Sequence, residues 1–304
     1  MIGVGVIGAG LMGSIHARLL AHDVPGARLT AVCDPDRAAA ERLDAPTLHA
    51  DGFALIADPA VDAVVIASPV PTHEPFTLAC VAAGKPVLCE KPLTATSEAA
   101  RRIVEAERAS GRRLVTVGFM RRHDPAYVEL KAQLDAGTIG RPLLVHCAHR
   151  NPSVHAFFDS AMIITDSAVH EADIVRWLLG EEIVSVDVRT PRSTSRAREG
   201  LRDPQLILLT TASDVLVDVE AFVTAGYGYD IRCEVVGEDG TLALPLAVAT
   251  GFEERFADAY RNELIAWLSG EPVGATAADG LAAAAVCEAG VRSLAEGRAT
   301  PVAC

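Results

Sequence analysis

The spacing of apolar positions changes once along this chain, near residue 118, and the change divides it in two. Up to that point short, continuous apolar runs alternate with stretches of helical spacing. The runs are Ile2–Ile7, Leu29–Cys33, Ala63–Ala67, Pro86–Cys89 and Leu114–Val117, and the helical stretches are Leu11–His22, Arg37–Leu43, Pro75–Ala83 and Ser97–Ser110. Strands that are apolar on both faces suit a parallel sheet covered by helices on both sides, so the alternation predicts a doubly wound sheet. Gly84 and Gly111 stand where C-cap glycines belong, and Ser97 is placed to cap the helix after it.

Beyond Gly118 the pattern predicts a helix over Pro125–Ala136, a strand over Leu143–His149, a polar stretch over Asn151–Ser160 and a helix over Ser167–Leu179. Four runs then follow in series, Ile183–Arg189, Gln205–Thr211, Val215–Val223 and Tyr229–Val236, which predict an open, mainly antiparallel sheet. In the third of these, Asp218 and Glu220 alternate with apolar residues, so one face is wetter. Helices over Glu254–Leu268 and Ala277–Glu296 close the chain. An open sheet with an uncovered face is a liability, and burial of that face by another subunit is expected. The expected architecture is an α/β domain over 1–120 and an α+β domain over 121–304, with the final helix packing back on the first.

The glycines change the picture from fold to chemistry. Gly8-Ala9-Gly10-Leu11-Met12-Gly13 begins where the first run stops, a helix follows it, and Asp34 ends the second run 21 residues after Gly13. This strand–turn–helix setting makes the repeat a dinucleotide fingerprint of the Rossmann type. Gly8 permits the turn, Gly10 admits a pyrophosphate to the backbone, and Gly13 lets helix and strand pack. The helix N-terminus adds unpaired N–H groups and a positive dipole end. Asp34 is placed to take the adenosine ribose hydroxyls and to repel a 2′-phosphate, which favours NAD over NADP, with Arg37 nearby as a counter-signal.

Composition narrows the classes. With 304 residues, half of them hydrophobic, the chain can build two cores. Its net charge of −13 argues against a nucleic-acid groove and against an anionic membrane surface. The first apolar run is short and ends in the glycine loop, so it reads as a strand rather than a signal peptide. No stretch approaches a membrane span. The cysteines Cys33, Cys80, Cys89, Cys147, Cys233, Cys287 and Cys304 are dispersed and never spaced as CxxC, which fits reduced thiols in a cytoplasm. As the last residue, Cys304 cannot head a prenylation box.

Three further clusters carry candidate chemistry. Glu90-Lys91-Pro92 follows the fourth run, at the carboxyl edge of the sheet where a nicotinamide would arrive; a surface turn is the plainer alternative. Asp166 and His170 are four apart, so on a helix they share a face, continued by Asp173 and Trp177. A carboxylate there can orient the imidazole as a base, and a helix cap at Asp166 is the plainer alternative. His170-Glu171 lacks the second histidine of a zinc motif, so no metal is expected. His149 and Asn151 point to one side of a strand and could hold vicinal hydroxyls. Tyr229, in Tyr227-Gly228-Tyr229-Asp230, could add a phenol.

Together these features resemble the Gfo/Idh/MocA oxidoreductases over essentially the whole chain. Gly118-Phe119-Met120-Arg121-Arg122, His146–Pro152, Asp166–Asp173 with Trp177, and Tyr227–Gly240 are similar to the branch that oxidises cyclitols. The resemblance implies Lys91, Asp166 and His170 as the catalytic trio. It implies cofactor contacts at Gly8, Gly10, Leu11, Met12, Gly13, Asp34, Ser68, His73, Glu90, Lys91 and Met120. It implies a polyol pocket at Lys91, Met120, His149, Asn151, Asp166, His170 and Tyr229. The implied reaction is NAD-dependent oxidation of one ring hydroxyl of a cyclitol, in a cytoplasmic tetramer or dimer. Two positions depart from the family pattern: His123 replaces its usual tyrosine, and the segment between Pro245 and Phe256 is shorter. These departures keep an aldose, an aminocyclitol, a keto-sugar or another inositol isomer as alternative substrates. A non-catalytic NAD-binding regulator is a further alternative, against which stands the retention of all three polar groups.

Overall fold

A computed structural model describes residues 1–270 and 274–303; Cys304 lies outside the described residues. The chain divides into two compact units, Met1–Met120 with Tyr260–Leu281, and Arg121–Ala259 with Ala282–Cys304.

The first unit opens with β1 (Ile2–Ile7), α1 (Leu11–His22), β2 (Ala27–Cys33), α2 (Arg37–Glu41), β3 (Thr47–His49), α3 (Gly52–Ala57), β4 (Ala63–Ile66), α4 (His73–Ala82), β5 (Val87–Glu90), α5 (Ser97–Ser110) and β6 (Val115–Gly118). β3 and α3 were not legible in the apolar pattern, because each is too short for a period to emerge. The second unit contributes α6 (Pro125–Asp135), β7 (Pro142–Arg150), α7 (Val169–Leu179), β8 (Ile183–Arg189), β9 (Gln205–Thr211), β10 (Leu216–Phe222), β11 (Tyr229–Gly237), β12 (Thr241–Ala243), β13 (Val248–Ala249) and α8 (Phe252–Arg255). The chain ends with α9 (Ala257–Ser269), β14 (Ala275–Thr276), α10 (Ala277–Glu296) and β15 (Thr300–Pro301).

In the first unit the strands run in the order β14-β6-β5-β4-β1-β2-β3. All neighbours are parallel except β14, which pairs antiparallel with β6. Strand order therefore reverses beside β1, and the crevice at that switch point is where such sheets bind ligands. Val4, Val6, Val32, Val65 and Leu88 are fully buried in a core that also takes Leu264 from α9. Ser97 does not cap α5. The cap is Thr96, whose Oγ1 accepts from the Ala99 N–H while its own backbone stays extended, leaving Ser97 as the first helical residue.

In the second unit the order is β12-β11-β7-β10-β9-β8-β15, with β13 also paired to β11. The sheet is antiparallel except at β7 and β10, which run parallel because α7, β8 and β9 form a long crossover between them. The helix expected over Glu254–Leu268 is broken at Phe256. That ring is fully buried, beneath the Arg255 guanidinium at 4.5 Å and edge-on to Tyr229 at 6.2 Å. Arg255 also donates to both carboxylate oxygens of Asp124, at 3.0 and 3.2 Å. Among the described residues no helix is long and apolar enough to cross a membrane.

Candidate active site

The first unit carries a nucleotide cradle. Gly8 has φ +99°, and a Cβ there would fall 2.6 Å from the Ala67 carbonyl. A Cβ on Gly13 would fall 1.8 Å from the Gly8 oxygen, so only glycine closes this turn. A Cβ on Gly10 would meet nothing within 4 Å, which leaves open space in front of the helix. α1 starts at Gly10 with no side chain capping its first N–H groups and no acid in its first turn. Donors and dipole are therefore left for an anion, and the residues present fit a dinucleotide. Leu11 and Met12 occupy that first turn.

Asp34 ties β2 to this loop. Its Oδ2 accepts from the Ala9 N–H at 2.6 Å and its Oδ1 from the Asp36 N–H at 2.8 Å. Two fixed donors hold the carboxylate in place with acceptor capacity left for ribose hydroxyls. Arg37 is turned to Glu41 at 2.9 Å on the exposed surface, an occupation that weakens it as a phosphate ligand.

Glu90 ends β5 and is buried. The buried His16 Nε2 donates to its Oε1 at 2.7 Å, and its Oε2 accepts from the Lys91 N–H at 3.2 Å. Gly118 packs against it so closely that a Cβ would lie 3.2 Å from the carboxylate. His73, at the start of α4, is 1 % exposed; its Nδ1 lies 2.9 Å from the Pro92 carbonyl and its Nε2 2.8 Å from the Ser68 carbonyl. Both ring nitrogens are thus taken by the chain itself, so His73 fixes loops and has no polar atom left for a cofactor. The Ser68 hydroxyl is 2.6 Å from that of Thr72, and Met120 closes the unit as a buried side chain.

The second unit gathers the other residues. The chain does not enter α7 through an ordinary cap. Ile163–Ser167 forms a π-helical turn, and the Ala168 N–H donates to the Ile163 carbonyl five residues back. Asp166 lies on that turn and His170 on α7, so their spacing of four crosses a junction and is not an α-helical stacking. Such π-turns re-aim side chains and gather at functional sites. Asp166 is half-buried and His170 buried.

The His170 ring lies 6.0 Å from that of His149 on β7, which lies 6.1 Å from Tyr229 on β11. Asn151 continues β7, with its Nδ2 3.5 Å from Ser167 Oγ. Beneath these groups are two residues that lie in the quoted motifs but were given no role there. Glu171 is 1 % exposed and accepts from the Arg121 guanidinium and, at 3.0 Å, from His149 Nδ1. Burial opposes its charge, but Arg121 and His149 more than offset this and hold its pKa at about 2. His149 Nδ1 lies 3.0 Å from the Glu171 carboxylate and 3.2 Å from the Arg121 guanidinium, and the two fix the ring in place. Burial pushes the Tyr229 phenol up to about 12, so it stays a neutral hydroxyl. Asp173, in contrast, is spent on structure: it binds Arg122 through two hydrogen bonds of 2.9 and 2.5 Å. Among the described residues no three His, Cys, Asp or Glu side chains are placed to hold a metal.

Comparisons with known proteins agree with this division. Residues 2–119 match the family model described as oxidoreductase family, NAD-binding Rossmann fold, and residues 127–243 match the Gfo/Idh/MocA C-terminal domain. The chain is 53% identical over 322 residues to inositol 2-dehydrogenase 1 of Saccharopolyspora erythraea, covering 98% of this chain and 95% of that one. Its fold superposes with TM-score 0.96 and 37% identity on myo-inositol dehydrogenase from Lactobacillus casei in complex with NAD(H) and myo-inositol, over 100% and 97% of the two chains. It superposes with TM-score 0.91 and 25% identity on scyllo-inositol dehydrogenase from the same organism, solved with NAD(H) and scyllo-inositol, over 100% of both chains. The fingerprint, the Rossmann sheet, the mainly antiparallel second sheet and both family matches lead to one conclusion: the chain belongs to the Gfo/Idh/MocA family of NAD-dependent oxidoreductases acting on CH–OH groups.

Proposed function

We propose that the substrate is a cyclitol, myo-inositol first among them, oxidised at one carbinol to the ketone 2-keto-myo-inositol. The observation that carries this reading is the grouping of His149, His170 and Tyr229, with the His149 ring 6.0 Å from His170 and 6.1 Å from Tyr229, beside a buried Arg121–Glu171 pair. It supplies several fixed hydroxyl-binding groups, as a ring of vicinal hydroxyls demands. The likeness to the inositol dehydrogenases supports the same choice.

NAD, when bound, supplies the hydride acceptor. The residues of this chain manage the proton. His170 takes the hydroxyl proton, and Lys91 donates a hydrogen bond to the same oxygen and stabilises its alkoxide character. Asp166 holds substrate and imidazole in register. His149, Asn151 and Tyr229 bind the remaining hydroxyls. Replacing His170 by Ala is expected to lower kcat by about 10² or more, and Lys91→Met by a similar factor. Near-normal turnover of either variant removes its residue from the trio.

A second copy of the chain covers the outer face of the second sheet. Leu144, Leu206 and Leu216 stand on it more than a third exposed, beside the His146–Asp218 pair. The reading also places the protein in the cytoplasm, since the six described cysteines are free thiols buried in the two units.

A further inference from the structure

We propose that His73 is held as an imidazolium that ties the turn after β5 to the loop after β4, and is thereby the positioning residue for Lys91. This rests on the reading of Lys91 as the group that hydrogen-bonds the reacting oxygen.

Donors and acceptors around the ring decide its charge. A backbone carbonyl oxygen only accepts, and His73 faces two of them, Pro92 at 2.9 Å and Ser68 at 2.8 Å. A neutral imidazole has a single N–H. Its second nitrogen would then set a lone pair against a carbonyl lone pair at hydrogen-bond distance, in a place that water barely reaches. Both bonds are satisfied only when both nitrogens carry protons. The Cys89 side chain of β5 also interacts with the ring. Burial pulls the imidazole pKa down, but Cys89 and the two carbonyls push it further the other way, to about 9.

The position of the two carbonyls gives this charge a purpose. β4 and β5 are parallel neighbours, and Ser68 and Pro92 lie just past their carboxyl ends. Lys91 is therefore pinned on both sides by a histidine. On one side His16 fixes the Glu90 carboxylate, which receives the Lys91 N–H. On the other side His73 fixes the carbonyl of Pro92. A lysine stem has four rotatable carbons, so its ammonium is aimed well only when its backbone is immobile.

The test reads protonation first and rate second. Wild-type protein labelled with ¹⁵N-histidine is examined by NMR at pH 8, with the His73 signals assigned by their loss in H73Q, or in H73N if that variant accumulates better. Both ring nitrogens of His73 are expected to be protonated at a pH where an ordinary imidazole is neutral; one unprotonated nitrogen overturns the inference. This result does not depend on any substrate, so it stands or falls apart from the cyclitol reading. In H73Q the dissociation constant for NADH should stay within about twofold, while kcat falls roughly tenfold or more and the primary deuterium isotope effect grows, because misaimed Lys91 slows the chemical step. Unchanged kcat, or equal losses in NADH affinity and kcat, contradicts a positioning role.

Discussion

Glu171 lies between the Arg121 guanidinium and the His149 ring, and all three are at most 3 % exposed. Removing its charge leaves a guanidinium buried without a counter-ion. Glu171→Gln is therefore expected to destabilise the protein by about 3–5 kcal/mol in denaturant unfolding, far more than an exposed pair would cost. It should also weaken substrate saturation, since Arg121 and His149 lose the carboxylate that holds them both. Lys91 and His170 can be proposed from the sequence because each sits in a short motif with a fixed place on the sheet or helix. Glu171 and Arg121 were not legible, because their meaning lies in a partner about 50 residues away. His73 was legible as a cofactor-side residue, yet its role depends on two carbonyls, and carbonyls leave no mark in a sequence.

At the scale of elements, the glycine turn offers a clean contrast. Gly10→Ala adds a methyl into open space, so folding should be unaffected while NAD affinity drops by tenfold or more as the methyl enters the pyrophosphate's position. Gly13→Ala drives a Cβ into the Gly8 oxygen and should cost both folding and binding. Isothermal titration with NAD beside thermal melts separates the two. Thr96→Ala should lower stability by about 1 kcal/mol and Ser97→Ala by much less, since Thr96 makes the cap bond. The long periodic elements, such as α1, α5, β8, β9 and α10, matched their apolar patterns residue for residue. What the pattern missed depends on local geometry: a cap displaced by one residue, the π-turn at Asp166, and the break at Phe256, where core packing overrides helical continuation.

At the scale of the whole molecule, His73, His123 and Glu171 are three buried groups whose shifted titrations shape the dependence of stability on pH. His73 has a folded pKa of about 9 against 6.5 unfolded, so its contribution is complete below pH 6.5 and is lost as pH rises toward 9. His123 is pulled by burial and by Arg122 to about 4, so its contribution is present above 6.5 and is lost as pH falls toward 4. Glu171 adds a further loss from 4.5 toward 2. Urea midpoints should therefore peak near pH 6.5; H73Q should flatten the alkaline limb and H123F the upper part of the acid limb. Light scattering should find an oligomer in the wild type and a smaller species in the L144K/L216K double variant. The central claim, oxidation of a cyclitol with NAD, is tested most directly by specificity constants for myo-inositol, scyllo-inositol, other inositols and glucose, each measured with NAD and with NADP. Myo-inositol with NAD should give the highest value, and H170A should slow NADH formation by about 10² or more; a higher value for glucose, or no reduced cofactor from any inositol, would contradict it.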